Sequence, residues 1–183
     1  YLMEFNDSSA IYENIKNKLL SKGEVLYNEV NVMLQMELRE PATYMRILDS
    51  MGKGATKVVD IANRSYLAAK DLPKYLAVLQ KLEYVKRLHP VTERKPKSKK
   101  TIYRISDNFF RFWLAYVYQN KNSLETGNVS EALDNIRKDF NSYLGFVFED
   151  VARQFLEEIK PVDFSKIGRW WHRDKEIDLV GLN

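Results

Sequence analysis

Cysteine is absent from the 183 residues, histidine occurs twice, and glycine and proline number only 7 and 5. Without cysteine there is no disulfide, no thiol nucleophile and no cysteine-built zinc site. The same absence suits a reducing, cytoplasmic compartment. His89 and His172 are too far apart in sequence to suggest a histidine metal site. No stretch approaches the roughly 18 consecutive apolar residues that a membrane-spanning helix needs, so no membrane partner is expected. No charged-then-apolar leader follows Tyr1, and residues 178–183 read as a strand in progress. Both ends therefore read as cuts in a longer polypeptide. What is present is ordinary for a folded protein: 45% hydrophobic residues and 30% charged ones, enough to build a core and to exclude wholesale disorder. The length suits one large domain or two small ones.

The net charge of +4 is modest but unevenly placed. Residues 81–104 hold nine cationic and two anionic side chains, a net +7 that leaves −3 for everything else. The densest part, Glu93-Arg94-Lys95-Pro96-Lys97-Ser98-Lys99-Lys100, has no apolar residue to anchor it and reads as a loop. Such a run is a solvated hairpin tip or a phosphate-facing patch, depending on its context.

That context begins at Pro41, which suits a first helical turn and precedes Tyr44, Ile47, Leu48 and Met51 at i, i+3, i+4, i+7 spacing. Gly52-Lys53-Gly54 ends this helix. Thr56 is placed to cap a second helix that buries Val58, Ile61, Ala62 and Ser65. A third helix from about Asp71 buries Leu72, Tyr75, Leu76, Leu79 and Leu82, leaving Lys74, Ala77, Val78 and Lys81 outward. Strand-like runs at 84–91 and 101–105 flank the basic loop. Three short helices and a hairpin with a cationic tip follow the winged helix-turn-helix order. In that arrangement the third helix enters the major groove of DNA and the wing neutralises phosphates. The expected contacts are Lys74, Lys81, Arg94, Lys95, Lys97, Lys99 and Lys100. The third helix is short of Arg, Asn and Gln, so contact is expected through the backbone rather than base edges. A protein-facing role remains the alternative.

Before this unit, residues 10–22 form an amphipathic helix with Ile11, Ile15 and Leu19 on one stripe. A second helix at 24–38 carries Leu26, Val30, Met33, Leu34 and Leu38. Both should pack on a neighbour. After it, Asp107 is placed to cap a helix with aromatic residues around nearly its whole circumference, which implies burial between two units rather than a base-stacking platform. A polar stretch, 120–130, leads to helices at 132–140 and 143–159, the latter with Leu144, Val147, Phe148, Val151, Phe155 and Ile159 inward and Glu149 at the edge. In a following strand Glu176, Asp178 and Val180 share one face. Carboxylates so arranged beside Glu149 suit Mg²⁺ through oxygen ligands, or surface salt bridges.

Taken together, Leu38-Arg39-Glu40-Pro41, Tyr75-Leu76-Ala77-Val78-Leu79, Pro90-Val91-Thr92-Glu93, residues 103–109 and Phe112-Trp113 resemble the C-terminal half of archaeal-type P-loop ATPases. In that AAA-like family a nucleotide-binding domain precedes a helical lid, a winged helix and a terminal domain likened to PD-(D/E)xK nucleases. Phe148-Glu149, Ile167-Gly168-Arg169-Trp170-Trp171 and Glu176-Ile177-Asp178 are similar to that terminal domain's motifs. The similarity covers about residues 24–183. It implies a lid-like segment at 1–40, a winged helix at 41–106, an aromatic linker helix and polar loop at 107–130, and an incomplete α/β nuclease-like domain at 131–183. By the resemblance Glu149 and Asp178 match the first two acidic positions of the nuclease pattern, as candidate catalytic and Mg²⁺-binding residues, and the (D/E)xK element lies outside the chain. No G-x-x-x-x-G-K-[ST] occurs, and residues 52–56 form a turn rather than a phosphate cradle. The chain itself thus has no cofactor of its own, while ATP and Mg²⁺ are implied for the parent protein. The reading is a mainly α chain with a small β-hairpin wing, contacting DNA and its own ATPase domain. The alternatives are a Mg²⁺-dependent nuclease completed elsewhere and a protein-interaction adaptor.

Overall fold

A computed structural model describes residues 2–93 and 100–183. The chain is mainly helical, with two small antiparallel β-hairpins. After a 3₁₀ turn at Leu2–Glu4, α1 (Ile11–Asn14) widens into π-type turns over Ile15–Leu19. The widening shifts the expected stripe: Ile11 stays exposed, while Asn14, Ile15, Leu19 and Leu20 are buried. Wide turns hold more than the usual residues per turn, so a stripe drawn at 3.6 drifts off the buried side. Asn14 is satisfied by the preceding loop, accepting from the Asn6 N–H at 2.8 Å and donating to the Asn6 carbonyl at 2.9 Å.

Helix α2 (Val25–Glu37) buries Leu26, Tyr27, Val30 and Leu34, with Leu38 just beyond its end. Helix α3 (Pro41–Gly52) starts at its proline and buries Tyr44, Ile47, Leu48 and Met51, as the spacing predicts. Helix α4 (Val58–Ser65) buries Ile61, Ala62 and Ser65. Its N-cap is Lys57 rather than Thr56, and Thr56 instead offers its carbonyl to the Tyr103 N–H at 2.8 Å. Helix α5 (Leu72–Lys81) buries Leu72, Leu76 and Leu79 and exposes Lys74, Ala77 and Lys81. Val78, expected outward, is half-buried against the core.

Strands β1 (Val85–Leu88) and β2 (Ile102–Ile105) pair antiparallel, Val85 opposite Ile105 and Leu88 opposite Ile102. They are shorter than expected because the chain leaves the ladder at His89-Pro90, where proline has no N–H to donate. Asp107 then caps α6 (Asn108–Phe112), accepting from the Phe110 N–H at 2.9 Å as expected, and the helix continues in π-type turns over Trp113–Tyr118. This aromatic segment is buried on several sides, and one apolar core unites it with α1–α5, the first hairpin and the start of the last helix, from Ile15 to Ile136.

The polar stretch 120–130 contains a short helix, α7 (Lys121–Glu125). The two helices expected after it are one, α8 (Val129–Ile159), 31 residues long. Asn141 and Ser142 are weak helix formers but not breakers, and a single Gly145 is tolerated. A further expectation fails in an informative way. Leu144, Phe148, Val151, Phe155 and Ile159 do share one face, but that face is exposed, Phe148 by 70%. The hairpins dock instead on the opposite, charged face of α8. Strands β3 (Lys166–His172) and β4 (Lys175–Leu182) form the second antiparallel hairpin, with an irregularity between Gly168 and Trp170. Among the described residues no helix is long and apolar enough to cross a membrane.

Candidate functional site

Lys74 and Lys81 lie two turns apart on the same exposed side of α5, and the Lys74 ammonium stands 4.9 Å from the centre of the Tyr75 ring. The ring of Tyr75 meets that of Tyr44 edge-on, which ties this side of α5 to α3. Lys100, at the far end of the basic loop, is paired with Glu93 at its near end. The remaining expected contacts, Arg94, Lys95, Lys97 and Lys99, lie outside the described residues.

Both ends of that loop are held by β3. The Val91 N–H donates to the Arg169 carbonyl at 2.8 Å, and the Trp171 indole N–H donates to the Lys100 carbonyl at 3.2 Å. The second hairpin therefore grips the base of the first. A cleft of about 350 Å³ lies between them and α8, where Lys86, Arg104, Arg111, Arg153, Lys166 and Arg169 outnumber Glu149, Asp150 and Asp178. Burial, reinforced by Arg87 and Lys166, lowers the pKa of His89 on its wall.

Two ionic hubs hold the cleft together. Arg169 donates to Glu149 at 2.5 Å and to Asp178 at 2.7 Å, with Glu176 at 3.5 Å. Glu149 and Asp178, separated by 29 positions in sequence, are thus brought onto one guanidinium. Burial raises the pKa of Glu149, and Asp178 adds to the rise against the opposing pull of Arg169 and Arg104. Sequence reasoning picked out both carboxylates but not their counter-charge, although three carboxylates close together require one.

The second hub is Asp150, which sequence reasoning missed. Lys86 at 3.1 Å, Arg111 at 3.6 Å and Arg153 at 3.9 Å surround it, joining the first hairpin to α8. Burial works to raise its pKa, but the three cations outweigh burial and hold it below the ordinary value. A depressed carboxylate contributes stability that is present above its unfolded pKa of about 3.9 and lost as pH falls through its folded value. Asp150→Asn should therefore lower the melting temperature at neutral pH. The gap to wild type should start to narrow below about pH 4 and close only once the pH has fallen through the depressed folded value of Asp150. Parallel melting curves across that range would show that the ion pairs contribute nothing.

Comparison with known proteins adds a family and a relative. Residues 113–183 match the family model DUF234, described as archaeal and bacterial proteins of unknown function. That span takes in Trp113, the whole of α8 and both strands of the second hairpin. The chain is also similar to "Uncharacterized protein MJECL04" of Methanocaldococcus jannaschii, with 42% identity over 160 residues. The aligned part covers 85% of this chain and 36% of the relative, so the chain spans about a third of that protein's length. No solved structure matches.

Proposed function

We propose that this chain is the nucleic-acid-facing part of a longer ATP-dependent cytoplasmic protein, in which α3–α5 and the first hairpin act as a winged helix-turn-helix on DNA. The observation that carries the reading is the succession of three packed helices and an antiparallel hairpin, with Lys74 and Lys81 on the open side of α5 and the basic loop joining the strands. In this arrangement α5 lies along the major groove while the loop cations meet the phosphates on its flank. The neighbouring cleft, whose lining holds more cations than carboxylates, supports the same partner. The ATPase part rests on the resemblance alone, and it assigns ATP turnover to residues outside this chain, which has no phosphate-cradling loop.

Binding to a mixed-sequence DNA duplex should be weakly sequence-selective and steeply salt-dependent, with log affinity falling linearly against log salt by about 0.9 per phosphate contact. Fluorescence anisotropy at several salt concentrations measures this. No retention of duplex even at low salt would turn the reading toward an adaptor that presents the same unit to a protein.

A second reading, a nuclease, is favoured by one observation: Glu149 and Asp178 converge. As arranged they do not form a metal cage. The Arg169 guanidinium supplies the positive charge between them, and no group of three metal-ligating side chains occurs among the described residues. Cleavage by this reading needs at least one further ligand from outside the chain. Nicking of plasmid DNA in Mg²⁺ by the longer protein, absent from the 183-residue chain alone and abolished by Asp178→Ala, would favour it over the binding role.

A further inference from the structure

The connection between α4 and α5 holds an aromatic residue where the backbone favours glycine. Helix α4 ends in a paired-hydrogen-bond cap: the Leu67 N–H reaches back to the Ala62 carbonyl at 3.0 Å, and the Tyr66 N–H points to the Asn63 carbonyl at 3.4 Å. Leu67 packs against the core, completing the cap with its usual apolar contact. In this motif the residue at the left-handed position is most often glycine, since a Cβ there is crowded by the neighbouring carbonyl. Here it is Tyr66, at φ 57°.

The other non-glycine residues with positive φ among those described are Glu83, Lys160 and Arg173, all polar, whereas Tyr66 carries a ring that is 87% exposed. The ring has no role in the core. Its setting is cationic: Arg64 precedes it by two residues, and Lys70 and Lys74 follow it. All three are exposed, and none is in an ion pair among the described residues. A strained backbone, an uncovered ring and exposed cations without a carboxylate partner, although Arg64 donates to the Lys53 carbonyl at 2.7 Å, together describe a surface kept for a partner rather than for stability.

We infer that Tyr66 is a contact residue for duplex DNA, its ring packing on the sugar–phosphate backbone beside the groove that α5 enters. This rests on the DNA-facing reading of α3–α5. The helix before a recognition helix crosses the backbone, which brings its C-terminal turn to the strand edge. The flanking Lys70 and Lys74 are complementary to the phosphates there, while the ring supplies apolar contact with the sugars.

The test is Tyr66→Gly in the full 183-residue chain, measured by thermal denaturation and by anisotropy on a mixed-sequence DNA duplex. Glycine relieves the left-handed position, so the melting temperature should rise. Affinity for duplex should nevertheless fall about tenfold. The salt slope should not change, because the substitution removes no charge. A fall in melting temperature would show that the ring serves the fold, and affinity within about twofold of wild type would show that the ring touches nothing. Either result overturns the assignment while leaving the DNA reading intact. Failure of the wild-type chain itself to bind duplex overturns both.

Discussion

Trp113→Ala is expected to destabilise the chain by about 3–5 kcal/mol, a large share of the roughly 5–15 kcal/mol that holds a typical domain together. Trp113 is fully buried at the point where α2, α3 and the aromatic segment meet. Its indole N–H donates to the Tyr27 carbonyl at 3.0 Å, and its ring lies 5.7 Å from that of Tyr118. Alanine would remove the ring and leave a cavity that neighbouring helices cannot close. It would also remove the indole's hydrogen bond to the Tyr27 carbonyl, which keeps only its intrahelical partner. Thermal denaturation should show a drop of roughly 10 °C or more. Phe148→Ala is the matched control. Also aromatic, but on the open face of α8, it should change stability by no more than about 0.5 kcal/mol. Equal effects at the two positions would mean that the aromatic segment is not the centre of the core. An unchanged melting temperature in Trp113→Ala, together with reduced single-strand binding, would restore the base-stacking alternative.

That contrast marks how far the sequence could be read. Where a helix meets its partner within a short stretch of chain, periodicity and capping identified the correct side: Tyr44, Ile47, Leu48 and Met51 face inward, and Asp107 caps where it should. The same logic named the apolar row of α8 and misjudged its surroundings. Periodicity tells which residues share a face, not what that face meets. On α8 the docking is ionic, through Glu149 and Asp150, so the charged side became the inner one. The π-type turns at Ile15–Leu19 and Trp113–Tyr118 were also hidden, because nothing in local propensity distinguishes them from ordinary helix. The candidate site shows a related limit. Its carboxylates and basic loop were visible as types and spacing. The bonds from the Val91 N–H to the Arg169 carbonyl and from the Trp171 indole to the Lys100 carbonyl join positions more than 70 residues apart, for which a single sequence holds no local signal.

Those two bonds sharpen what should happen when the wing is stripped of its charge. Replacing Arg94, Lys95, Lys97, Lys99 and Lys100 together by Ala should weaken duplex binding across sequences and flatten the salt slope by up to about 0.9 for each phosphate that is no longer neutralised. Lys74 and Lys81 remain on α5, so residual binding with a shallower slope is expected rather than none. The fold should survive. Lys100 gives up its pairing with Glu93, but a partly exposed pair of this kind is worth at most about 1 kcal/mol. The bond that anchors this end of the loop is made by the Lys100 backbone carbonyl, which alanine keeps. Trp171→Phe separates the two roles from the other side, because it removes the anchoring donor while leaving every wing cation in place. If the wing acts through charge, the five-fold variant should lose most of its salt dependence and Trp171→Phe should keep it. If instead the five-fold variant binds like wild type with the same slope, the loop is a solvated tip, and the open face of α5 is better read as a surface for another protein.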